Sequence, residues 1–351
     1  LVPYGLIADI HLHAWAAFAT HDEHGVNSRL DILLNEIERV AKSVKEKGGT
    51  VVYIAGDLFH VRGSISPAVL NRARGRLWQI TEDNGVVLVI LAGNHDMQFR
   101  HSSDLGNAIS AVACRTINVI NTPMTIGRAH MIPWMENPQD VLEIAKKFPS
   151  AERVTHDLII HAPINGTIPG IPNSGLDPIE LAKLGFRRVF AGHYHNHKNF
   201  GGNVYSIGAI AHHTWSDVGS VAGHLIVGDD VLFQASDAPS FIDINANEDE
   251  VEVALRVHGN YVRAKTSSTK TAELNELREW LTKCGALGVL IQHVPEATVT
   301  RNHATATAAS AATLEESVSG FIKGCGHFGD DARIARINTA SQAILAKASL
   351  T

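Results

Sequence analysis

Short apolar runs alternate with longer amphipathic stretches over the first 120 residues. YGLIADI (4–10), TVVYIAGD (50–57) and VVLVILAGNHD (86–96) have the continuous apolar character of strands buried on both faces. Between them, SRLDILLNEIERVAKSVKEKGG (28–49) places Leu30, Leu33, Leu34, Ile37, Val40, Ala41 and Val44 at helical spacing, and Gly48-Gly49 stops it. SPAVLNRARGRLWQITEDNG (66–85) predicts a second helix, with Ser66 as cap and Pro67 at its first position. Strand, helix, strand, helix, strand in this order predicts a parallel sheet covered on both faces, with right-handed crossovers.

Past residue 115 the pattern changes. TINVI, RAHMIPW, DLIIHA, RRVFAGH, NVYSIGAI and GHLIVGDDVLFQ are strand candidates with fewer helices between them, which predicts a second sheet. The expected fold class is α/β: a two-sheet βαβ sandwich flanked by helices, over residues 1–248. The acidic stretch NANEDE (245–250) marks a boundary. After it, EVEVALRVHG and NYVRAKTSS are expected as strands, AELNELREWLTKCG as a helix ending at Gly285, and ALGVLIQHVP as a further strand. These form a small α+β domain at 249–305. The low-complexity run RNHATATAASAA (301–312) predicts a linker, and two closing helices occupy the rest of 306–351.

Composition sharpens this picture. At 351 residues the chain suits two domains or one large domain with an appendage, and needs no disulfide framework. Cys114, Cys284 and Cys325 lie far apart, as in a reducing compartment, and exclude a cysteine zinc site. No apolar run reaches the roughly 18 residues of a membrane span. The apolar opening is interrupted by Asp9, His11 and His13 and reads as a strand, not a signal peptide. Residues 1–250 hold 19 Lys+Arg against 27 Asp+Glu, a net of −8, while residues 251–351 carry a net of +2. Histidine is abundant at 20 residues, and an acidic, histidine-rich half suits bound cations.

The chemistry gathers at strand ends. Asp9-Ile10-His11, Gly56-Asp57, Gly93-Asn94-His95-Asp96, His161 and Gly192-His193-Tyr194-His195 each close an apolar run. Crevices of α/β sheets open at carboxyl strand ends, so ligands collect there. In an extended segment residues i and i+2 point the same way, so the D-x-H and H-x-H pairs could each face one ion. Asp9, His11, Asp57, Asn94, His161, His193 and His195 mix imidazole, carboxylate and amide oxygen without thiolate. Such donors suit manganese, iron or zinc. Seven ligands exceed the need of one catalytic ion and fit two ions ~3.5–4 Å apart, with Asp57 as bridge.

This series resembles the calcineurin-like metallophosphoesterases over residues 4–215, and IAGDLFH (54–60) with LAGNHD (91–96) resembles one branch, the Mre11/SbcD DNA-repair nucleases, phage members included. The resemblance implies a metallophosphoesterase nuclease domain with a small capping domain that recognises DNA. It implies one ion on Asp9, His11, Asp57 and His195, and another on Asp57, Asn94, His161 and His193, most often Mn2+. His95 would contact the scissile phosphate and help the leaving oxygen depart, Asp96 would orient His95, and His60 would lie near water and phosphate. The reaction implied is in-line attack by a metal-bound hydroxide on a phosphodiester, in DNA repair, recombination or phage DNA processing. A homodimer through residues 66–82 and 103–113, a Rad50/SbcC-like ATPase partner on the closing helices, and a cytoplasmic location in a bacterial or phage-infected cell follow from the same resemblance.

GAIAHHTWSD (208–217) departs from many relatives, and His212, His213 and Trp215 could line the DNA path there. His13, His21 and His24 acquire no role. His130, His156, His197, His224, His258, His293, His303 and His327 are expected to be structural. A small-molecule phosphodiesterase or phosphatase on the same fold is the alternative, supported by the −8 charge. A non-enzymatic scaffold is disfavoured because no ligand of the series is missing.

Overall fold

A computed structural model describes residues 1–99, 102–172, 174–295, 318, 321–322 and 331–348. The chain divides into two compact units, Leu1–Pro295 and Glu296–Thr351. In the second unit the described element is the helix Asp331–Ala348.

Two six-stranded sheets dominate the first unit. In the first sheet Tyr4–Ile7, Val51–Ile54, Val87–Leu91 and Ile117–Ile120 run parallel in that spatial order. The antiparallel pair Gly223–Val227 and Val231–Ala235 extends it beside Tyr4–Ile7. In the second sheet Val204–Ser206, Arg188–Gly192, Asp157–His161 and Ala129–Ile132 are parallel neighbours, with short antiparallel strands at each edge.

Strand alternation divides the apolar residues between two layers. Leu6, Ala8, Tyr53, Ala55, Val89 and Leu91 of the first sheet meet Met131, Ile159, Phe190 and Ile207 of the second in one buried cluster. Ile7, Val52, Ile54, Leu88 and Ile90 instead face the helices Ser28–Glu46 and Pro67–Asn84. Asn27 caps the first helix by accepting from the N–H groups of Arg29 and Leu30. Ser66 stands at the second helix's N-terminus without a side-chain capping bond, so Pro67 starts that helix and left-handed Gly85 ends it.

At the amino ends of the strands the sheets are tied by polar groups. Buried Asp157 accepts from the Tyr4 hydroxyl at 2.6 Å and from Arg187 Nε at 2.9 Å, and Arg188 pairs with it too. Burial and the Asp157 carboxylate push the Tyr4 hydroxyl well above its ordinary pKa.

A three-stranded parallel sheet, Phe241–Asn245, Tyr261–Thr266 and Gly288–His293, makes the small α+β element. It begins ahead of the acidic stretch, which forms the turn after its first strand. Glu250–Val257, expected as a strand, is a helix: Asp249 caps it, and Val253 and Val257 one turn apart enter the core beside Val262 and Leu281. The expected dimer segment 103–113 also differs. Its Ala108–Val112 part is a 3-10 turn that buries Ile109, so Ile109 serves the core and not a surface.

Candidate metal centre

Four of the seven expected ligands leave their strands through strained backbone. Asp9 (φ 51°), His11 (50°), Asp57 (54°) and His193 (110°) have positive φ, and among the described residues Phe18 is the other non-glycine to do so. Such conformations cost of order 1–3 kcal/mol each and persist where the surroundings over-determine them. The Asp9–His11 pair therefore does not face the site through extended alternation, as its spacing suggested. Instead the left-handed turns run alongside the Asp57 loop, with Asp9 N–H donating to the Gly56 carbonyl and His11 N–H to the Asp57 carbonyl.

All seven donors converge. One carboxylate oxygen of Asp9 and one ring nitrogen each of His11 and His195 lie within 4.8 Å of one another. Asp9, Asp57 and His161 form a second such group. Asp9 is common to both groups, and Asp57 Oδ2 of the second lies 3.5 Å from His161 Nε2 and 3.8 Å from His11 Nε2 of the first. Asn94 Oδ1 sits 3.1 Å from His161 Nε2 and 2.9 Å from His193 Nδ1. Glycines admit this closeness: a Cβ on Gly56 would lie 2.1 Å from His161 Nδ1, and one on Gly93 2.1 Å from Asp57 Oδ1.

The donor chemistry fits cations. His161 Nδ1 donates to the Ala55 carbonyl at 2.7 Å, which turns Nε2 toward the Asn94 and Asp57 oxygens. His195 Nδ1 donates to Asp217 at 2.7 Å, which turns its Nε2 onto His11 Nε2 at 3.3 Å. Lone pairs of neutral imidazole aimed at further lone pairs need a proton or a metal between them. The titration pattern agrees. Burial lowers His161, but the Asp57 charge and hydrogen bond outweigh it and push the imidazole up to about 9. Burial pushes Asp9 up to about 6, against the pull of His161 and His195. Burial would raise Asp57 as well, yet His161 holds it well below the carboxylate range. His11 is lowered well below its usual value by burial, and its Nδ1 is buried without a hydrogen-bond partner. The seven residues together present the carboxylate, amide and imidazole donors that divalent ions take.

His95 stands at the rim. Its ring Nδ1 lies 2.6 Å from the His60 carbonyl, which only an N–H can satisfy, and its backbone N–H donates to Asp57 Oδ1 at 2.8 Å. His60 stacks on His95 with ring centroids 5.5 Å apart and packs on Trp15 at 4.4 Å. Burial and the charge of His95 push the His60 imidazole down to about 4. Asp96 departs from its expected part. Its carboxylate accepts from the N–H groups of Leu58, Phe59 and Gly93, so it ties two ligand loops together while the His60 carbonyl orients His95. Burial and nearby Asp57 push Asp96 up to about 7.

His212 and His213 do not line a path. They are 7% and 2% exposed. His213 Nε2 donates to the Asp9 carbonyl at 2.9 Å, and His212 accepts from the Phe241 N–H. Both are framework, because a carbonyl in a strained loop needs a donor that solvent cannot supply. Trp215 is partly exposed and carries the Arg263 guanidinium 4.9 Å above its ring. His13 faces His60, while His21 and His24 lie on an exposed loop.

Sequence patterns missed Asp217 and Trp134. Asp217 is buried and accepts from His195 and from the N–H groups of His213 and Thr214, and its charge is held well below the usual range against the effect of burial. Thr214-x-x-Asp217 is a capping box and could have been found as one. Trp134 packs on His193 with centroids 5.0 Å apart, and no motif signals it.

Residues 2–197 match the family model of the calcineurin-like phosphoesterases, and the chain belongs to that family. Exonuclease subunit 1 of Enterobacteria phage T4 is 28% identical over 174 residues, 47% of this chain and 49% of that protein, so the match spans about half the relative's length. A dimetal phosphatase from Danio rerio superposes with a TM-score of 0.42 at 10% identity, covering 66% of this chain and 95% of that one. The nuclease MPE of Pseudomonas putida gives 0.28 at 15% identity, over 66% and 73%. Both superpose only loosely. Among the described residues no helix is long and apolar enough to cross a membrane.

Proposed function

We propose that this chain is a metal-dependent DNA nuclease of the Mre11/SbcD type. The observation that carries it is the convergence of the strand-end donors: Asp9 with His11 and His195, Asp9 with Asp57 and His161, Asp57 Oδ2 also 3.8 Å from His11 Nε2, and Asn94 Oδ1 against His161 and His193. The partial likeness to a phage exonuclease subunit directs that chemistry toward nucleic acid. Asp9, His11, Asp57 and His195 would hold one ion, and Asp57, Asn94, His161 and His193 the other. Two divalent ions, manganese on the strength of the family resemblance since the donors alone also suit iron or zinc, would supply charge neutralisation on the phosphate and activation of water when bound.

The chain's own residues orient and move protons. The His60 carbonyl fixes the proton of His95 on Nδ1, leaving Nε2 as the atom to meet the phosphate and serve the leaving oxygen. Asp96 keeps the Asp57 and Asn94 loops in register. Asp217 keeps His195 in the metal-binding tautomer.

A homodimer through the helix Pro67–Asn84 and an ATPase partner of the Rad50/SbcC kind belong to the same proposal, as does a role in DNA repair, recombination or phage DNA processing. Half-buried Leu70 and exposed Trp78 lie on that helix. Leu70→Asp should give a monomer in sedimentation velocity where wild type gives a dimer; an unchanged dimer places the contact elsewhere. The second reading, a small phosphodiester substrate, is favoured by the −8 charge of residues 1–250.

The deciding experiment is cleavage of end-labelled duplex and circular single-stranded DNA with manganese, magnesium or chelator. His95→Ala should lower the rate on the order of 10²–10⁴-fold without loss of bound metal. Turnover of bis-p-nitrophenyl phosphate with no cutting of DNA would favour the small ester.

A further inference from the structure

A second cluster lies at the opposite end of the strand that delivers His161. His130 pairs in register with Leu158, near the amino end of Asp157–His161, and was expected to be a structural histidine. One ring nitrogen of His130, one of His156 and a carboxylate oxygen of Glu152 lie within 4.8 Å of one another. We propose that His130, Glu152 and His156 form a metal site distinct from the strand-end centre, taking one zinc-class cation with its remaining position open to water.

The geometry is that of a prepared site. His130 is fully buried, and its Nε2 has no hydrogen-bond partner although it points at Glu152 Oε2, 3.7 Å away. Its other nitrogen is engaged by the Thr125 hydroxyl at 2.7 Å. In the metal-binding tautomer Nδ1–H donates to Thr125, and the Nε2 lone pair is the atom presented. His156 is arranged the same way. Its Nδ1 lies 2.8 Å from the Glu152 carbonyl, which accepts its proton and leaves Nε2 as the open lone pair. A buried nitrogen facing a carboxylate beyond hydrogen-bond distance is unsatisfied in the protein alone, and a cation satisfies both.

The rings are held in place. His130 stacks on Phe148 and on His156, with centroids 4.1 and 4.8 Å apart, and meets the Phe186 edge. Glu152 and His156 are joined by a backbone turn, His156 N–H to the Glu152 carbonyl at 3.0 Å. Burial and the neighbouring His156 keep the His130 imidazole below its ordinary pKa, the neutral form a metal needs. Two imidazoles and one carboxylate suit Zn2+ or another first-row cation, and the 48% exposed Glu152 side chain leaves the open side to solvent. A bound ion would pin the turn before Asp157 to the hairpin Met124–Ile132.

The test counts metal. Wild type, Glu152→Gln and His156→Ala are equilibrated with low-micromolar free Zn2+, and bound zinc is measured by mass spectrometry. Wild type should retain one equivalent more than either variant, and Co2+ in its place should lose visible absorption in both variants. Both substitutions lie on the open side of the cluster, and unchanged hydrolysis of bis-p-nitrophenyl phosphate shows that they fold. Equal zinc in all three proteins would overturn the site. Ions at the strand-end centre are common to all three, so the difference stands whatever that centre binds.

Discussion

At the scale of single residues, the site depends on which nitrogen of each histidine is committed elsewhere. His161 spends Nδ1 on the Ala55 carbonyl and His195 spends Nδ1 on Asp217, so each offers Nε2 to a metal. Removing such an outer partner commonly costs 10–100-fold in metal affinity. Asp217→Asn should therefore weaken metal binding by about that factor, read by titration calorimetry, while Ser216→Ala on the exposed neighbour should not. Equal affinity would show that Asp217 serves the loop alone. The residues that gather at this centre were legible because acid, amide and imidazole side chains closed five apolar runs. The strain at Asp9, His11, Asp57 and His193 was not, since φ is set by how the loops pass each other.

At the scale of elements, the strands carry the expected ligands, and the antiparallel pair of the first sheet carries an acid-sensitive point. His224 lies on Gly223–Val227, fully buried, with Nε2 bonded to Gln234 Oε1 at 2.9 Å and Nδ1 without a partner. Burial and the charge of Arg39 push it from 6.5 down to about 4. The unfolded chain therefore binds a proton more readily than the folded one. The neutral imidazole's full contribution is present above about 6.5 and is lost as pH falls toward about 4, on the order of 3 kcal/mol across that window. Urea midpoints should fall over this range in wild type and fall less in His224→Gln. Parallel falls would assign the acid sensitivity to other groups. Glu250–Val257 shows why one element escaped the pattern. EVEVALRV alternates as a strand would and also places Val253 and Val257 one turn apart, so packing against Leu281 and the Asp249 cap decided between two periods.

At the scale of the whole first unit, the loop between His11 and Asn27 joins the centre to the small sheet. Trp15 packs on His60 and His213, and Phe18, held at φ 59°, stacks on Tyr261 with centroids 5.2 Å apart. Buried Arg29 lies over Trp15, Phe241 and Tyr261 and donates to the His213 carbonyl at 2.8 Å. A small sheet that positions DNA would be felt through this joint. Phe18→Ala should lower cleavage of duplex DNA about 10-fold or more, the rough cost of removing one stacked aromatic, and leave hydrolysis of bis-p-nitrophenyl phosphate near wild type. An equal loss on both substrates would assign the joint to stability.

The sequence alone determined the strand–helix alternation, the two-sheet sandwich and which acidic, amide and imidazole residues gather at the strand ends. Each is written in local order: the period of apolar residues, and an acid, amide or imidazole at a strand's end. It left His212 and His213 as candidate DNA contacts and His130 and His156 as structural, because burial is not a local property. Tertiary structure alone decided these. It closed His213 onto the Asp9 carbonyl, set Asp217 behind His195 and brought Glu152 and His156 beside His130. These partners come from separate segments of the chain, and only the packing of two sheets fixes the distances between them.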